Sequence, residues 1–252
     1  MTQQFLDHKS SGFNKLVETI EAVSITIKSN HSNININHKM RFIIINNEAL
    51  SNCGKLRIKI DDIQTTVARK CPQKTRFLHL FFMDRSSIHM ELECDSNEQL
   101  DFILKAIETD DKTIPDCNTS LPLCDCCKKY EADINKTPES HPISVIIRNC
   151  HSRKLPVKVE FGFGAISYSH EGSVSNLNFN EGCVEFSSHS SNKLNLSRIH
   201  SLMLNQEEVE NSHYTTLSTY SSHGEKIYTL SVHHSGAYSQ WERTLTEMCV
   251  RK

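Results

Sequence analysis

KIYTLSVHHSGAYSQWERTLTEMCVRK, residues Lys226 to Lys252, is the stretch whose pattern decides the architecture. Tyr228, Leu230 and Val232 fall on one face at the two-residue period of a strand. Ser235 and Gly236 break that pattern. Trp241, Leu245 and Met248 then recur at i, i+4 and i+7, the stripe of a helix with one buried face. Trp241 is the only Trp in the chain. A lone Trp on the inner face of a closing helix plugs a core, because it offers the largest apolar surface available. Trp241, Leu245 and Met248 are therefore expected in the structural core.

A similar ending occurs earlier. Ile88, Met90 and Leu92 alternate with His89, Glu91 and Glu93. Asp95 or Ser96 can cap a following helix, with Gln99 in the capping-box position relative to Ser96. Leu100, Ile103, Leu104 and Ile107 form the stripe of that helix. Strand, break and closing helix, with Trp241 in the second copy, resemble the end of a pleckstrin-homology domain. The resemblance implies a mainly β chain with helices, built as two such domains in tandem. Each would be a bent antiparallel sheet or partial barrel closed by a C-terminal helix. Residues 1–110 form the first expected domain, 111–142 a Cys- and Pro-containing linker, and 143–252 the second.

Length agrees with that division, since 252 residues suffice for two domains of about 100–150 residues. The formal net charge of -2 shows no basic excess, so nucleic acid is not an expected partner. The opening MTQQFLDHKSSGFNK has no apolar core of a secretory signal. No run approaches the roughly 18 apolar residues of a membrane span. Ten cysteines without such a signal read as reduced thiols, hence a cytoplasmic or nuclear setting.

Along the chain, Phe13, Leu16, Val17 and Ile20 form a short helical stripe. Val23, Ile25 and Ile27 alternate, and Ile34 to Ile44 continues on even positions as one long second strand. Lys55 to Ile60 is a two-faced strand, and Ile63 to Val67 another. Phe77 to Met83 is apolar on both faces, which suits the centre of a sheet. Residues 111–142 show neither period. Ile143, Val145 and Ile147 alternate and are expected to open the second sheet. Val157, Val159 and Phe161 follow, and an Asn180-Glu181-Gly182 turn precedes Val184 and Phe186.

Cys124 and Cys127 have the C-x2-C spacing that grips one face of a tetrahedral zinc ion. Cys126 sits between them, and Cys117 and His141 are the candidate remaining ligands. A second C-x2-C or H-x3-H pair is missing, so a solvated linker with reduced thiols is the plainer alternative. Lys55, Arg57 and Lys59 lie on one strand face, and Arg148, Arg153, Lys154 and Lys158 fall at the matching place in the second half. Both groups are candidate patches for an anionic ligand such as a phosphoinositide. An amphipathic strand also needs polar residues toward water for no further reason. Gly162-Phe163-Gly164 lacks the third glycine and the helix of a nucleotide-binding loop, and no G-x-S-x-G, H-E-x-x-H or P-loop is present. Cys71-Pro72 resembles a heme-regulatory dipeptide, a two-residue match that chance often supplies. These readings lead to a non-enzymatic adaptor that binds protein partners and needs no cofactor, zinc aside. The alternatives are a phosphoinositide-binding membrane-surface module and a nuclear protein of the histone-chaperone type.

Overall fold

The computed structural model describes residues 2–70, 76–93, 97–110, 122–209, 212–234 and 236–250. The protein is mainly β with helices, and the registered strand pairs are antiparallel. Its residues group into two compact units. One holds residues 1–30, 34–120 and 163–168, the other residues 31–33, 121–162 and 169–252.

The N-terminal unit contains β1 (Thr2–Leu6), α1 (Ser11–Thr19), β2 (Glu21–Lys28) and most of β3 (Ser32–Ile36). It continues with β4 (Met40–Ile45), β5 (Glu48–Ser51), β6 (Leu56–Lys59), β7 (Ile63–Lys70), β8 (Arg76–Phe82), β9 (Ser87–Glu93) and α2 (Asn97–Ala106). β8 runs between β7 and β9, and β9 pairs with β2. Isoleucines at alternate positions put Ile25, Ile27, Ile34, Ile36, Ile88 and Met90 into one core. α1 and α2 supply Phe13, Leu16, Leu100, Ile103 and Leu104 to it. The hairpin between β4 and β5 turns on Asn46 and Asn47, at φ 51° and 60°. Those left-handed angles at both central residues match the twist that a two-residue hairpin requires.

The sequence expected one strand from Ile34 to Ile44. It is instead two, β3 and β4, which keep the same even-numbered residues inward. β1, unexpected in a polar opening, pairs with β7 and buries Phe5 and Leu6. The outer face of β8 is a cluster of rings: Phe77 stacks on His89 at 4.8 Å, and His79 Nε2 lies 2.5 Å from His89 Nδ1. Cys71 and Pro72 lie outside the described residues.

The C-terminal unit begins with α3 (Asp125–Lys136) and α4 (Pro142–Ser152). β10 (Pro156–Phe163) and β11 (Ile166–Ser173) follow, each partly in this unit, then β12 (Ser175–Asn180), β13 (Cys183–Ser187) and β14 (Ser191–Asn195). A 3-10 turn (Leu196–Arg198), β15 (Ser201–Val209), β16 (Ser212–Tyr220), β17 (Lys226–His233) and α5 (Ala237–Val250) complete it. Val157, Val159 and Phe161 of β10 face Val232, Leu230 and Tyr228 of β17 in register. All six are buried, and Phe161 and Tyr228 meet edge to face at 5.0 Å. α5 packs on α4 and β15, with Trp241 only 1% exposed. Leu245 is half-buried, and the side chain of Met248 lies outside the described set.

Two expectations fail here. Ile143, Val145 and Ile147 do not open a sheet: they lie on α4. Spacing of four residues between Ile143 and Ile147 satisfies both periods, so those two positions cannot decide. Ile146 and Cys150, both buried, complete the i, i+3, i+4, i+7 set of a helix, and Pro142 stands at its first turn. Residues 125–136 of the expected linker form α3 rather than irregular chain. Its apolar stripe is short: Cys127, Tyr130 and Ile134 are half-buried, and none of its residues is fully buried.

Two outcomes follow from this packing. Trp241→Ala should cost about 3–5 kcal/mol, the usual loss for a large core aromatic, read as a lowered urea midpoint. An unchanged midpoint would show that the site is not core. The histidine pair should make stability pH-dependent. Burial, then His89, Arg69 and Lys28, lower the pKa of His79 from 6.5 to about 4. His89 is lowered also, by burial, Lys28 and Arg69. The unfolded chain binds protons below pH 6.5 that the folded His79 refuses until about pH 4, so stability falls as pH drops through that window. His79→Gln should flatten the loss between pH 7 and pH 5 in urea titrations, and an equal loss in both proteins would remove His79 as its source.

Candidate metal centre and ligand cavity

Cys124 ends an extended segment and caps α3: at φ -64° and ψ 159° its sulfur accepts the backbone N–H of Cys127 at 3.4 Å. A sulfur thereby takes the place of the Ser or Asp oxygen that usually caps a helix. Cys126 and Cys127 occupy the first turn. Across from them stands His200, whose backbone N–H donates to the carbonyl of Tyr220 at 2.8 Å. The 3-10 turn just before it is capped by Asn195, whose Oδ1 accepts from the Ser197 N–H at 3.2 Å and its hydroxyl at 2.8 Å. α3 lies on this turn.

The result is convergence of four donor atoms. His200 Nδ1 lies 3.4 Å from the sulfurs of both Cys124 and Cys126, and 3.8 Å from that of Cys127. The Cys124 and Cys126 sulfurs are 2.8 Å apart, and all four donors lie within 4.8 Å of one another. Hydrogen bonding by the Cys126 thiol, then by the backbone N–H and thiol of Cys127, pulls Cys124 down to about 6. Burial first, then Cys124, pushes Cys127 up to about 12. One thiolate is therefore present near neutral pH in a site whose helix N-terminus favours negative charge.

Beside this cluster opens a cavity of about 470 Å³. Tyr130 and Ile134 of α3, Ile199 and Leu202, and Leu245 of α5 supply its apolar surface. Cys126, Cys127, His200 and His141 also stand on its wall. The volume lies in the range of small-molecule and cofactor sites, roughly 300–1,000 Å³. In the N-terminal unit a void in the core is about 10 Å³, lined wholly by apolar side chains.

Of the sequence candidates, Cys124 and Cys127 join the cluster. Cys117 lies outside the described residues. His141 caps α4, its Nδ1 accepting from the Ile143 N–H at 3.3 Å, and faces the cavity rather than the sulfurs. Cys126 was visible between the two other thiols. His200, separated from Cys124 by 76 positions, had no local signal.

The basic residues have other company. Arg57 and Lys59 are exposed on β6, with Arg57 paired to Glu48 at 3.4 Å, and Lys55 just precedes them. Arg148 lies on α4 rather than in a strand-linked loop, 4.9 Å from the centre of the Phe179 ring. Arg153 donates to Gln240 Oε1 at 2.7 Å, Lys158 pairs with Glu160 at 2.6 Å, and Lys154 ends the helical segment at φ 52°.

No protein-family model and no curated protein sequence matches the chain. Solved structures do. Apo-PhuS, a heme-binding protein from Pseudomonas aeruginosa, superposes with a TM-score of 0.62 at 10% identity, over 97% of this chain and 86% of that one. ChuS, an E. coli heme oxygenase, gives 0.60 at 10% identity, over 97% and 88%. A second structure of ChuS, described as a heme degrading enzyme of E. coli O157:H7, gives 0.62. The chain has the fold of PhuS and ChuS.

That likeness corrects the expectation of tandem pleckstrin-homology-like domains, which rested on strand-then-helix endings common to many sheets. The adaptor reading falls with it, as do its phosphoinositide and histone-chaperone alternatives and its nuclear setting. The expectations of no enzyme and no cofactor lose their ground too, since PhuS binds heme and ChuS degrades it. Among the described residues no helix is long and apolar enough to cross a membrane.

The thiols should be separable by reactivity. In reduced, metal-free protein near pH 7, iodoacetamide should label Cys124 first and Cys150 last. Burial pushes the Cys150 thiol up to about 12, so it has little thiolate to react. Peptide mass spectrometry over a time course reads the order, and equal rates at Cys124 and Cys150 would contradict it.

Proposed function

We propose that this protein binds heme in the cavity of its C-terminal unit. The observation that carries the reading is the cavity itself: about 470 Å³, apolar on several sides, with imidazole and thiol donors on its wall. The PhuS and ChuS fold supports it, because solved proteins of that fold hold or degrade heme. The donor chemistry fits the group. Heme iron takes His and Cys as axial ligands in proteins generally. His141, His200, Cys126 and Cys127 are the candidates on the wall.

Ile134, Ile199, Leu202 and Leu245 would pack against the macrocycle. None of the described lining residues is Lys or Arg. Bound heme would supply an iron centre able to carry or activate dioxygen. The protein's own part is to exclude water from the ring, present one donor, and hold the ring's orientation.

Hemin titration of the reduced protein should give a saturable Soret shift at one equivalent. Leu245→Glu should weaken binding more than about tenfold, ~1.4 kcal/mol, by setting a charge against the ring. Met83→Ser, exposed in the other unit, should leave it unchanged. Equal affinity in Leu245→Glu and the parent protein would refute the cavity as the heme site. Decay of the Soret band with reductant and dioxygen would add degradation to binding.

A further inference from the structure

We propose that Cys124, Cys126, Cys127 and His200 bind one zinc ion in a closed, four-ligand site that fastens α3 to the 3-10 turn before β15. A heme iron takes at most two axial ligands from a protein. Three sulfurs and a nitrogen meeting at one point fit a different occupant, a tetrahedral ion.

Distances agree. Zinc–sulfur bonds of about 2.3 Å and zinc–nitrogen bonds of about 2.0–2.1 Å put tetrahedral S···N pairs about 3.6 Å apart. His200 Nδ1 stands 3.4, 3.4 and 3.8 Å from the three sulfurs. The donor set is soft, with three thiols and one imidazole, which is the zinc-binding composition Cys3His. Each thiol that ligates the ion gives its proton to solvent, so binding releases protons and weakens as pH falls.

A second observation is independent of the donors. α3 is twelve residues long and none of them is buried. An isolated helix of that length is marginal in water, and helices in proteins persist mainly through a packed apolar face. The apolar face of α3 is narrow, with Cys127, Tyr130 and Ile134 only half-buried, and the helix lies against the 3-10 turn. A metal cross-link between Cys124, Cys126 and Cys127 on one side and His200 on the other adds to what this narrow face supplies. Zinc on Cys126, Cys127 and His200 leaves His141 as the heme-ligand candidate on the cavity wall, and zinc retention and hemin binding are separate measurements on the same protein.

The test uses untagged, full-length protein purified under reducing conditions without chelator. Metal analysis should find one equivalent of zinc. Replacement by Co(II) should give the intense visible bands of a four-coordinate ion and the sulfur-to-cobalt bands of three thiolates. Cys126→Ser and His200→Asn, both at exposed positions, should lose the zinc and change the cobalt spectrum. Cys53→Ser, an exposed thiol of the other unit, should keep both. Stripping zinc with a chelator should speed hydrogen exchange in residues 125–136 and leave β16 and β17 protected. The proposal is overturned by reduced protein that retains no zinc and gives no four-coordinate cobalt spectrum. A native Cys124–Cys126 disulfide, or zinc kept unchanged in both site variants, would overturn it equally.

Discussion

A helix that fully buries no side chain gains little from the hydrophobic effect, and α3, with Cys127, Tyr130 and Ile134 only half-buried, is such a helix. The cavity of the C-terminal unit nevertheless needs it, because Cys126, Cys127, Tyr130 and Ile134 form part of the wall. The opposite wall is of another kind. Ile199 follows a side-chain-capped turn, and Leu245 is carried by a helix whose Trp241 is locked in the core. One side of the cavity is thus rigid by packing, and the other is held by what happens at four donor atoms. Gly182 belongs to the same arrangement. Any side chain there would strike Asn135 of α3, and its φ of 74° suits the tight turn between β12 and β13.

The two units spend the same alternation of apolar residues on different ends. In the N-terminal unit α1 and α2 bring Phe13, Leu16, Leu100 and Leu104 into the core, where a void beside Phe13 measures about 10 Å³. A space of that size admits at most about one water, and an apolar one stays dry. In the C-terminal unit the inward residues of β10 and β17 are sealed just as fully, with Tyr228 so deeply buried that its hydroxyl is held well above its usual range. Its open space lies outside that core, under a polar helix. A ligand can therefore enter without disturbing the packing that gives the unit its stability.

Much of the sheet was legible because alternation is a local property. Ile25 with Ile27, Ile88 with Met90, and Tyr228 with Leu230 and Val232 can each be read within a few residues, and Trp241 marks its helix alone. Three things were not legible. α4 was mistaken for a strand because Ile143 and Ile147 satisfy both periods, and only Ile146 and Cys150 break the tie. α3 carries only a short pattern, Cys127, Tyr130 and Ile134, since its inner face is just half-buried. The fourth donor was hidden for a different reason: His200 reaches the cysteines only after β10 to β14 have been laid down between them, and no spacing rule spans such a distance. Half a zinc motif was in view, and its completion was a consequence of tertiary structure.

The same reasoning bounds what the likeness to PhuS and ChuS can carry. At 10% identity the shared quantity is a pattern of inward and outward residues, which many sequences satisfy. A pattern sets where strands and helices lie, not which atoms line a cavity. Function therefore rests on donors, and those belong to this chain: three sulfurs and two imidazoles within or beside one cavity. If the sulfurs and His200 are committed to an ion that holds α3, the imidazole left on the wall is His141, fixed at the start of α4 by the N–H of Ile143. Pro142 and the buried Ile143, Ile146 and Ile147 make that helix start rigid. A donor for heme iron placed there would draw its position from the hydrophobic core, while the wall facing it would draw its position from a metal.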